Sequence, residues 1–459
     1  MNAFSRRGAC PALSAPMQTG DGLLVRLNPV DGGLSPKSLI GLGESALRHG
    51  NGVMEVTARG SLQIRGLSAE SARLLAAEVD AMGIAVRTGV PVDTGPLAGI
   101  DSQEIADPSS LAERLRAAIL ETGLTGRLGP KVSVVVDGGG QLGMDALSAD
   151  VRLKAVRAGE DVHWGVSIAG DGRSAKPLAT VDADAARDIA VAALRMVAEK
   201  GREAHTRDLS HRQLASLAGW HSIAAPSLLP DISPKRVSGR TEGDAVERHR
   251  APIGLFGLKA AYALGIALPY GSIPAQNLIE LATKAAEIGT TEIRLAPGRA
   301  LLFIGLSPTT CASLQASATT LGFVTSSTDP RTRIAACPGT PACASGRFAT
   351  RAIAETIATE SPDLLDTSLT LHISGCAKGC AHPGAAMLTL VGDENGAGLV
   401  VDGTAKALPA GYRPGYDAAR GVAAIAAAVH GARHPGETAA ACLARLGAAG
   451  IAELYRRNQ

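Results

Sequence analysis

The stretch LIGLGESALRHGNGVMEVTARGSLQIRGLSAESARLLAAEVDAMG, residues 39–83, returns as LIELATKAAEIGTTEIRLAPGRALLFIGLSPTTCASLQASATTLG at residues 278–322. The two align without gaps at a constant offset of 239 and share 12 of 45 positions, among them Leu39/Leu278, Leu42/Leu281, Gly50/Gly289, Leu62/Leu301 and Gly83/Gly322. Chance at this composition gives about four identities, so the module is duplicated. The period is too long for a solenoid, and the two copies are expected to pack across a pseudo-two-fold axis. Each copy reads helix, strand, tight turn, strand, helix. In the first, helix 36–49 stops at Gly50, a C-cap residue. Met54, Val56, Leu62 and Ile64 then alternate along one face of a hairpin turning at Arg59-Gly60, and a helix runs from Ala69 to Met82. The second copy places strands at 292–296 and 300–304 with Arg299 at the turn.

Working outward, the modules occupy residues 1–85 and 251–323, each half of a central domain. Residues 86–230 read as a separate α/β domain, with a helix from Leu111 to Thr122, strands Val132–Val136 and Val162–Ile168, and a helix Ala185–Lys200. Residues 231–250 are polar and charged and read as a linker. Residues 324–459 form a last α/β domain with alanine-rich helices around Ala418–His430 and Glu437–Leu446. A chain of 459 residues with 46% hydrophobic and 19% charged composition predicts a globular protein of two to three domains. Aromatic residues are 3% and the formal charge is +2, which argues against nucleic-acid binding. Arg6 and Arg7 precede no apolar signal segment, and no uncharged apolar run is long enough to span a membrane. Seven cysteines without an export signal point to reduced thiols and a cytoplasmic location.

Four of those cysteines form two pairs, Cys337-x5-Cys343 and Cys376-x3-Cys380, each among glycine, proline and alanine. Four thiolates on two tight loops suit a [4Fe-4S] cluster. Structural zinc prefers closer spacing and often histidine, and buried unliganded thiols are the third reading. Cys10, Cys311 and Cys442 stand singly, as ordinary buried thiols do. The second face of the first hairpin carries Thr57, Arg59, Gln63 and Arg65, which is either a solvated strand face or a clamp for carboxylates. Gly138-Gly139-Gly140-Gln141-Leu142-Gly143 fits G-x-G-x-x-G after a strand. The segment from Met144 to Val156 alternates as a strand, however, where a phosphate cradle needs a helix. His205, Asp208 and His211 have the residue types of a two-histidine, one-carboxylate iron site but lie in a polar run that reads as solvated. His382, two residues after Cys380, reads as structural.

The cysteine quartet and the duplicated module together resemble the sulfite and nitrite reductase family, which couples a four-iron cluster to a sirohaem. The resemblance implies an α+β fold in which duplicated αββα modules form a central pseudo-two-fold domain flanked by two α/β domains. Thr57-Ala58-Arg59-Gly60-Ser61-Leu62-Gln63 matches the family's Thr-x-Arg-x3-Gln pattern at the tetrapyrrole, and Leu128-Gly129-Pro130-Lys131 its lysine-bearing anion loop. The family's second lysine falls at Ser133, and its arginine ahead of Thr94–Asp101 has no counterpart. Arg7-Gly8-Ala9-Cys10-Pro11, the run Met17–Leu24, and Cys376-Ala377-Lys378-Gly379-Cys380-Ala381-His382-Pro383 resemble the precorrin-3B synthase branch, of aerobic cobalamin biosynthesis.

That branch implies an oxygen-dependent monooxygenase that hydroxylates precorrin-3A at C20 and closes a γ-lactone. By resemblance, Cys337, Cys343, Cys376 and Cys380 bind the [4Fe-4S] cluster, and a non-haem iron sits beside it. Arg59, Gln63, Arg65, Lys131, Arg299, Arg331 and Arg333 are the expected partners of the tetrapyrrole's carboxylates. Electrons are expected from a separate reductase or ferredoxin, with NADH as the indirect donor. A sirohaem-dependent sulfite or nitrite reductase and, further off, a non-catalytic protein with zinc on the four cysteines are the alternatives.

Overall fold

The computed structural model describes residues 11–30, 32–219 and 250–457; Arg6, Arg7, Cys10 and nearly all of the expected linker lie outside them. The described residues form four five-stranded sheets. In the first copy of the module the order is Met17–Thr19, Gly22–Leu27, Leu62–Leu67, Val53–Val56, all antiparallel. In the second it is Gly254–Gly257, Tyr262–Ala267, Ala300–Leu306, Glu292–Ala296. Each sheet takes its fifth strand from the other copy. Ser272–Pro274 pairs with Val53–Val56, setting Ile273 opposite Met54. Gly33–Leu34 pairs with Glu292–Ala296, setting Leu34 opposite Ile293. Gly33 and Ser272 stand at the same position of the repeat, so the exchange is reciprocal.

Local chemistry sets these elements. Ser35 caps helix Pro36–His49 by accepting from Ser38 N at 3.0 Å, with proline in the first turn, where its missing N–H costs nothing. Ser68 and Ser71 close a capping box on helix Ala69–Ala81, and Ser307 and Thr310 do the same for Pro308–Thr320. Helices Pro36–His49 and Ala275–Glu287 then pack face to face, so closely that a Cβ on Gly43 would meet Ile279 Cγ1 at 2.6 Å. Leu39, Leu42, Ile64, Leu278, Leu281 and Phe303 are fully buried in one core drawn from both copies.

The flanking units share a second topology. Strands Val92–Thr94, Val134–Asp137 and Ala149–Ala158 are parallel, and Asp161–Gly170 and Lys176–Val181 continue the sheet antiparallel. Strands Ile334–Ala336, Leu371–Ser374 and Ala386–Asp393 are likewise parallel, followed by antiparallel Gly396–Gly403 and Gly411–Arg413. A helix links the first two strands of each, Ser109–Glu121 in one and Thr350–Glu360 in the other, and a further helix follows the last strand. The duplication therefore extends past residues 83 and 322. In this arrangement the glycine loop after Val134–Asp137 occupies the place that the Cys376–Cys380 loop occupies after Leu371–Ser374.

The glycine loop holds no helix N-terminus, as its strand-like continuation predicts. Its amides are taken by carboxylates: Asp137 accepts from Gly139 N at 2.9 Å and Met144 N at 2.8 Å, and Asp101 from Gln141 N at 2.6 Å. His205 departs from the solvated reading, because its Nδ1 lies 3.0 Å from the buried carboxylate of Asp150. Asp208 accepts from His205 N at 2.9 Å, and among the described residues no group of three His, Cys, Asp or Glu is arranged to hold a metal ion. Nor is any described helix long and apolar enough to cross a membrane.

Candidate functional site

Cys337 follows strand Ile334–Ala336, and Cys376 follows the adjacent parallel strand Leu371–Ser374 by one residue. Both loops thus leave the carboxyl ends of neighbouring parallel strands, where open α/β sheets leave a crevice. Pairing continues past the strands, with Cys337 N donating to Ile373 O at 3.1 Å. The loops then lock together. Gly375 N donates to Cys337 Sγ at 3.2 Å, Arg347 N to Gly375 O at 2.9 Å, and Lys378 Nζ to Ser345 Oγ at 2.8 Å. A Cβ on Gly375 would lie 3.1 Å from Gly346 Cα, so a side chain there would press on the first loop. Cys380 is exposed as a residue, yet burial pushes its thiol up, and Cys376, Cys337 and Cys343 push it further. The four cysteines are not gathered around a point for a single metal ion; four thiols on two interlocked loops, with one N–H already aimed at sulfur, are the donors that would hold the larger [4Fe-4S] cluster. Among the described residues, no set of three His, Cys, Asp or Glu is placed for the expected mononuclear iron.

Both copies of the module clamp these loops. Ala342 O, between the first two cysteines, accepts from Gly20 N at 3.2 Å and Arg65 Nη2 at 2.5 Å. Arg65 is 4% exposed and bound to Asp21 at 3.0 Å and Glu55 at 3.2 Å, and Glu55 also holds Arg351 at 2.6 Å. Burial opposes the charge on Arg65, but hydrogen bonds and charge from Asp21 and Glu55 outweigh it and push the guanidinium up. From the second copy, Arg299 at the hairpin turn (φ +66) donates to Ala381 O at 3.0 Å. Burial first, then repulsion from Arg351, pulls Arg299 down. His372 is fully buried below the second loop, its ring edge-on to His382 with centroids 5.7 Å apart. Burial, then His382 and Arg299, pull it down to about 4, so the imidazole is neutral near pH 7.

The remaining residues of interest divide by what already holds them. Arg59 donates to Asp93 Oδ2 and Ser148 O, both at 2.8 Å, tying the first hairpin to the neighbouring α/β unit. Gln63 is 8% exposed, its amide oriented so that the oxygen accepts from Arg26 and the nitrogen reaches Glu55. Arg331 forks onto Asp329, with Nη2 at 2.6 Å, and Arg333 Nη2 donates to Ser327 O at 3.0 Å. Lys131 is exposed in the turn ahead of Val134–Asp137. Cys311 and Cys442 are buried single thiols, as expected. Open concavities of about 490 and 600 Å³, beside His430–Thr438 and between helices Ser109–Glu121 and Ala183–Lys200, contain none of these residues. Reading the sequence alone missed Asp21, Glu55, Arg351 and His372. Glu55 and His372 sit inside strands, where alternation alone carries no sign of a long-range partner.

Residues 15–82 match the model of the nitrite/sulfite reductase ferredoxin-like half domain. The chain is similar to a ferredoxin–nitrite reductase of Synechococcus elongatus, at 24% identity over 88% of this chain and 82% of the relative. Its fold is that of the Mycobacterium tuberculosis NirA protein, with a TM-score of 0.69 and 18% identity over 92% of this chain and 83% of that one. The expected sulfite/nitrite reductase-like α+β architecture is thus present. Similarity to a precorrin-3B synthase from a Sinorhizobium species reaches 40% identity over 99% of this chain and 96% of the relative. On that full-length match the chain belongs to the precorrin-3B synthase family.

Proposed function

We propose that this chain acts in aerobic cobalamin biosynthesis, converting precorrin-3A to precorrin-3B by oxygen-dependent C20 hydroxylation and γ-lactone closure. One atom of dioxygen ends on C20 and the other leaves as water, with two electrons and two protons supplied from outside the chain. Cys337, Cys343, Cys376 and Cys380 would hold a [4Fe-4S] cluster, which when bound passes electrons one at a time. The supply comes from a separate reductase or ferredoxin, with NADH upstream.

The observation that carries the reading is Arg299. Its guanidinium is largely removed from water, no carboxylate of the described residues pairs with it, and it donates to Ala381 O beside the cysteine loop. A desolvated cation of this kind is costly unless an anion meets it. A tetrapyrrole bearing many carboxylates is such a partner, and the planar guanidinium meets a carboxylate with two hydrogen bonds. Of the other expected partners, Lys131 is exposed to solvent, while Arg59, Arg65, Gln63, Arg331 and Arg333 already give donors to groups of the chain itself.

The test is anaerobic purification with iron, acid-labile sulfide and optical measurements, followed by precorrin-3A and ¹⁸O-labelled dioxygen. The expected outcome is an iron–sulfur spectrum without tetrapyrrole bands, and a product carrying one labelled oxygen at C20. A strong Soret and Q-band spectrum on purification, with reduction of sulfite or nitrite, would establish the sirohaem reductase instead. Zinc in place of iron would establish the non-catalytic reading.

A further inference from the structure

His372 has polar atoms that the protein does not use. It is fully buried, and neither ring nitrogen has a hydrogen-bond partner among the described residues. A neutral imidazole carries one N–H and one lone pair, and buried groups of this kind are nearly always paired. Leu371 and Ile373 on either side belong to the hydrophobic core, so by strand alternation His372 and Ser374 face the opposite side of the sheet. That is the side of the cysteine loops, where Ser374 Oγ donates to Cys376 O at 2.7 Å.

The ring is aimed at the second loop. Its Cε1, the carbon between the two nitrogens, lies 3.7 Å from where a Cβ on Gly379 would project, and Gly379 stands between Cys376 and Cys380 at φ +63. A further neighbour of the ring is His382, whose own Nε2 is engaged with Ala385 O at 3.2 Å. Solvent does not reach His372, and the loop beside it carries the sulfur that can accept from its ring N–H.

We propose that His372 donates a ring N–H to sulfur on the Cys376–Cys380 side of the four-iron cluster, a cysteine Sγ or a bridging sulfide, and so raises the cluster's reduction potential. The proposal rests on the cluster assignment above. A hydrogen bond to sulfur draws charge from the cluster and favours its more negative, reduced form. Gly375 N on Cys337 Sγ is the backbone counterpart at the first loop.

The test uses the reduced holoenzyme. Pulsed electron paramagnetic resonance of protein carrying ¹⁵N-histidine should show a histidine nitrogen and an exchangeable proton coupled to the cluster, and both should persist in His382→Ala. His372→Leu should remove them and shift the midpoint potential downward at unchanged iron and sulfide content, while His372→Gln, which keeps an N–H, restores part of the shift. Should both His372 variants fail to fold, the couplings in the unsubstituted protein still decide the matter. A loaded cluster without those couplings, or a potential that ignores His372→Leu, overturns this role for His372 and leaves the functional reading standing. A protein that binds no four-iron cluster overturns both.

Discussion

Arg65 shows how a residue of the expected substrate face takes a different post. Its donors are spread over Asp21, Glu55 and Ala342 O, and its side chain is 4% exposed. Arg65→Met would leave Asp21 buried without its cation and Glu55 with Arg351 alone, a loss of about 3–5 kcal/mol, and would take one of two donors from the Ala342 carbonyl beside Cys343. We expect a lower midpoint in urea unfolding and less bound iron per chain, with Arg65→Lys intermediate. If Arg65→Met loaded iron fully and weakened only substrate binding, its place would be at the tetrapyrrole. Asp21 gives the pH counterpart. Burial pushes its carboxyl up, but hydrogen bonds from Arg65 and Thr19 outweigh that and hold it below the usual carboxylate range. A carboxylate whose folded pKa lies below its unfolded value stabilises fully above the unfolded value, near 3.8, and loses that stabilisation as pH falls through the folded one. Melting temperatures should therefore drop more steeply below about pH 4 in the unsubstituted protein than in Asp21→Asn, whose melting point starts lower and changes less.

At the scale of elements, the turn between Met17–Thr19 and Gly22–Leu27 meets the cysteine loop backbone to backbone. Gly20, in the turn between Met17–Thr19 and Gly22–Leu27, has Pro341 O, Ala344 N and Cys343 C within 2.9 Å of where a Cβ would sit. None of these is the free end of a side chain, so Gly20→Ala must displace the loop that carries Cys343. Iron content and the cluster's absorbance should fall, while far-ultraviolet circular dichroism barely changes. Gly83→Ala is the control, since it strains a left-handed glycine (φ +68) but meets nothing within 4 Å, and costs about 1–2 kcal/mol of stability with iron retained. The Arg59 hairpin was readable, because Met54, Val56, Leu62 and Ile64 alternate cleanly and all four are buried. The Gly20 turn and its docking were not, since the cue is the absence of a side chain at Gly20 against a loop more than 300 positions away in the chain. The cysteines were readable for the opposite reason: their chemistry is rare and their spacing tight. His372 escaped notice because a lone histidine in a strand looks the same whether or not something waits opposite it.

For the whole molecule, what the sequence revealed was smaller than what the chain does with it. Twelve identities exposed the duplicated modules. The flanking α/β units repeat the same strand order, but their copies have diverged, one toward cysteine loops and the other toward a glycine loop filled by Asp101 and Asp137. The strand exchange was invisible too, since Gly33–Leu34 is two residues long and carries no periodic pattern. Yet that exchange makes the halves interdependent. Val53–Val56 has Ser272–Pro274 on its outer edge, and Glu292–Ala296 has Gly33–Leu34. Leu278 of helix Ala275–Glu287 is fully buried in the core both copies share, so Leu278→Ala should cost about 2–5 kcal/mol. If the copies fold as one cooperative unit, that loss must appear in both sheets. Amide hydrogen exchange should therefore quicken at Val53–Val56 as much as at Glu292–Ala296, although Leu278 lies in the second copy alone. Quickening confined to residues 254–323 would mean that the two modules are separate folding units merely resting on each other, with the exchanged strands contributing little to either.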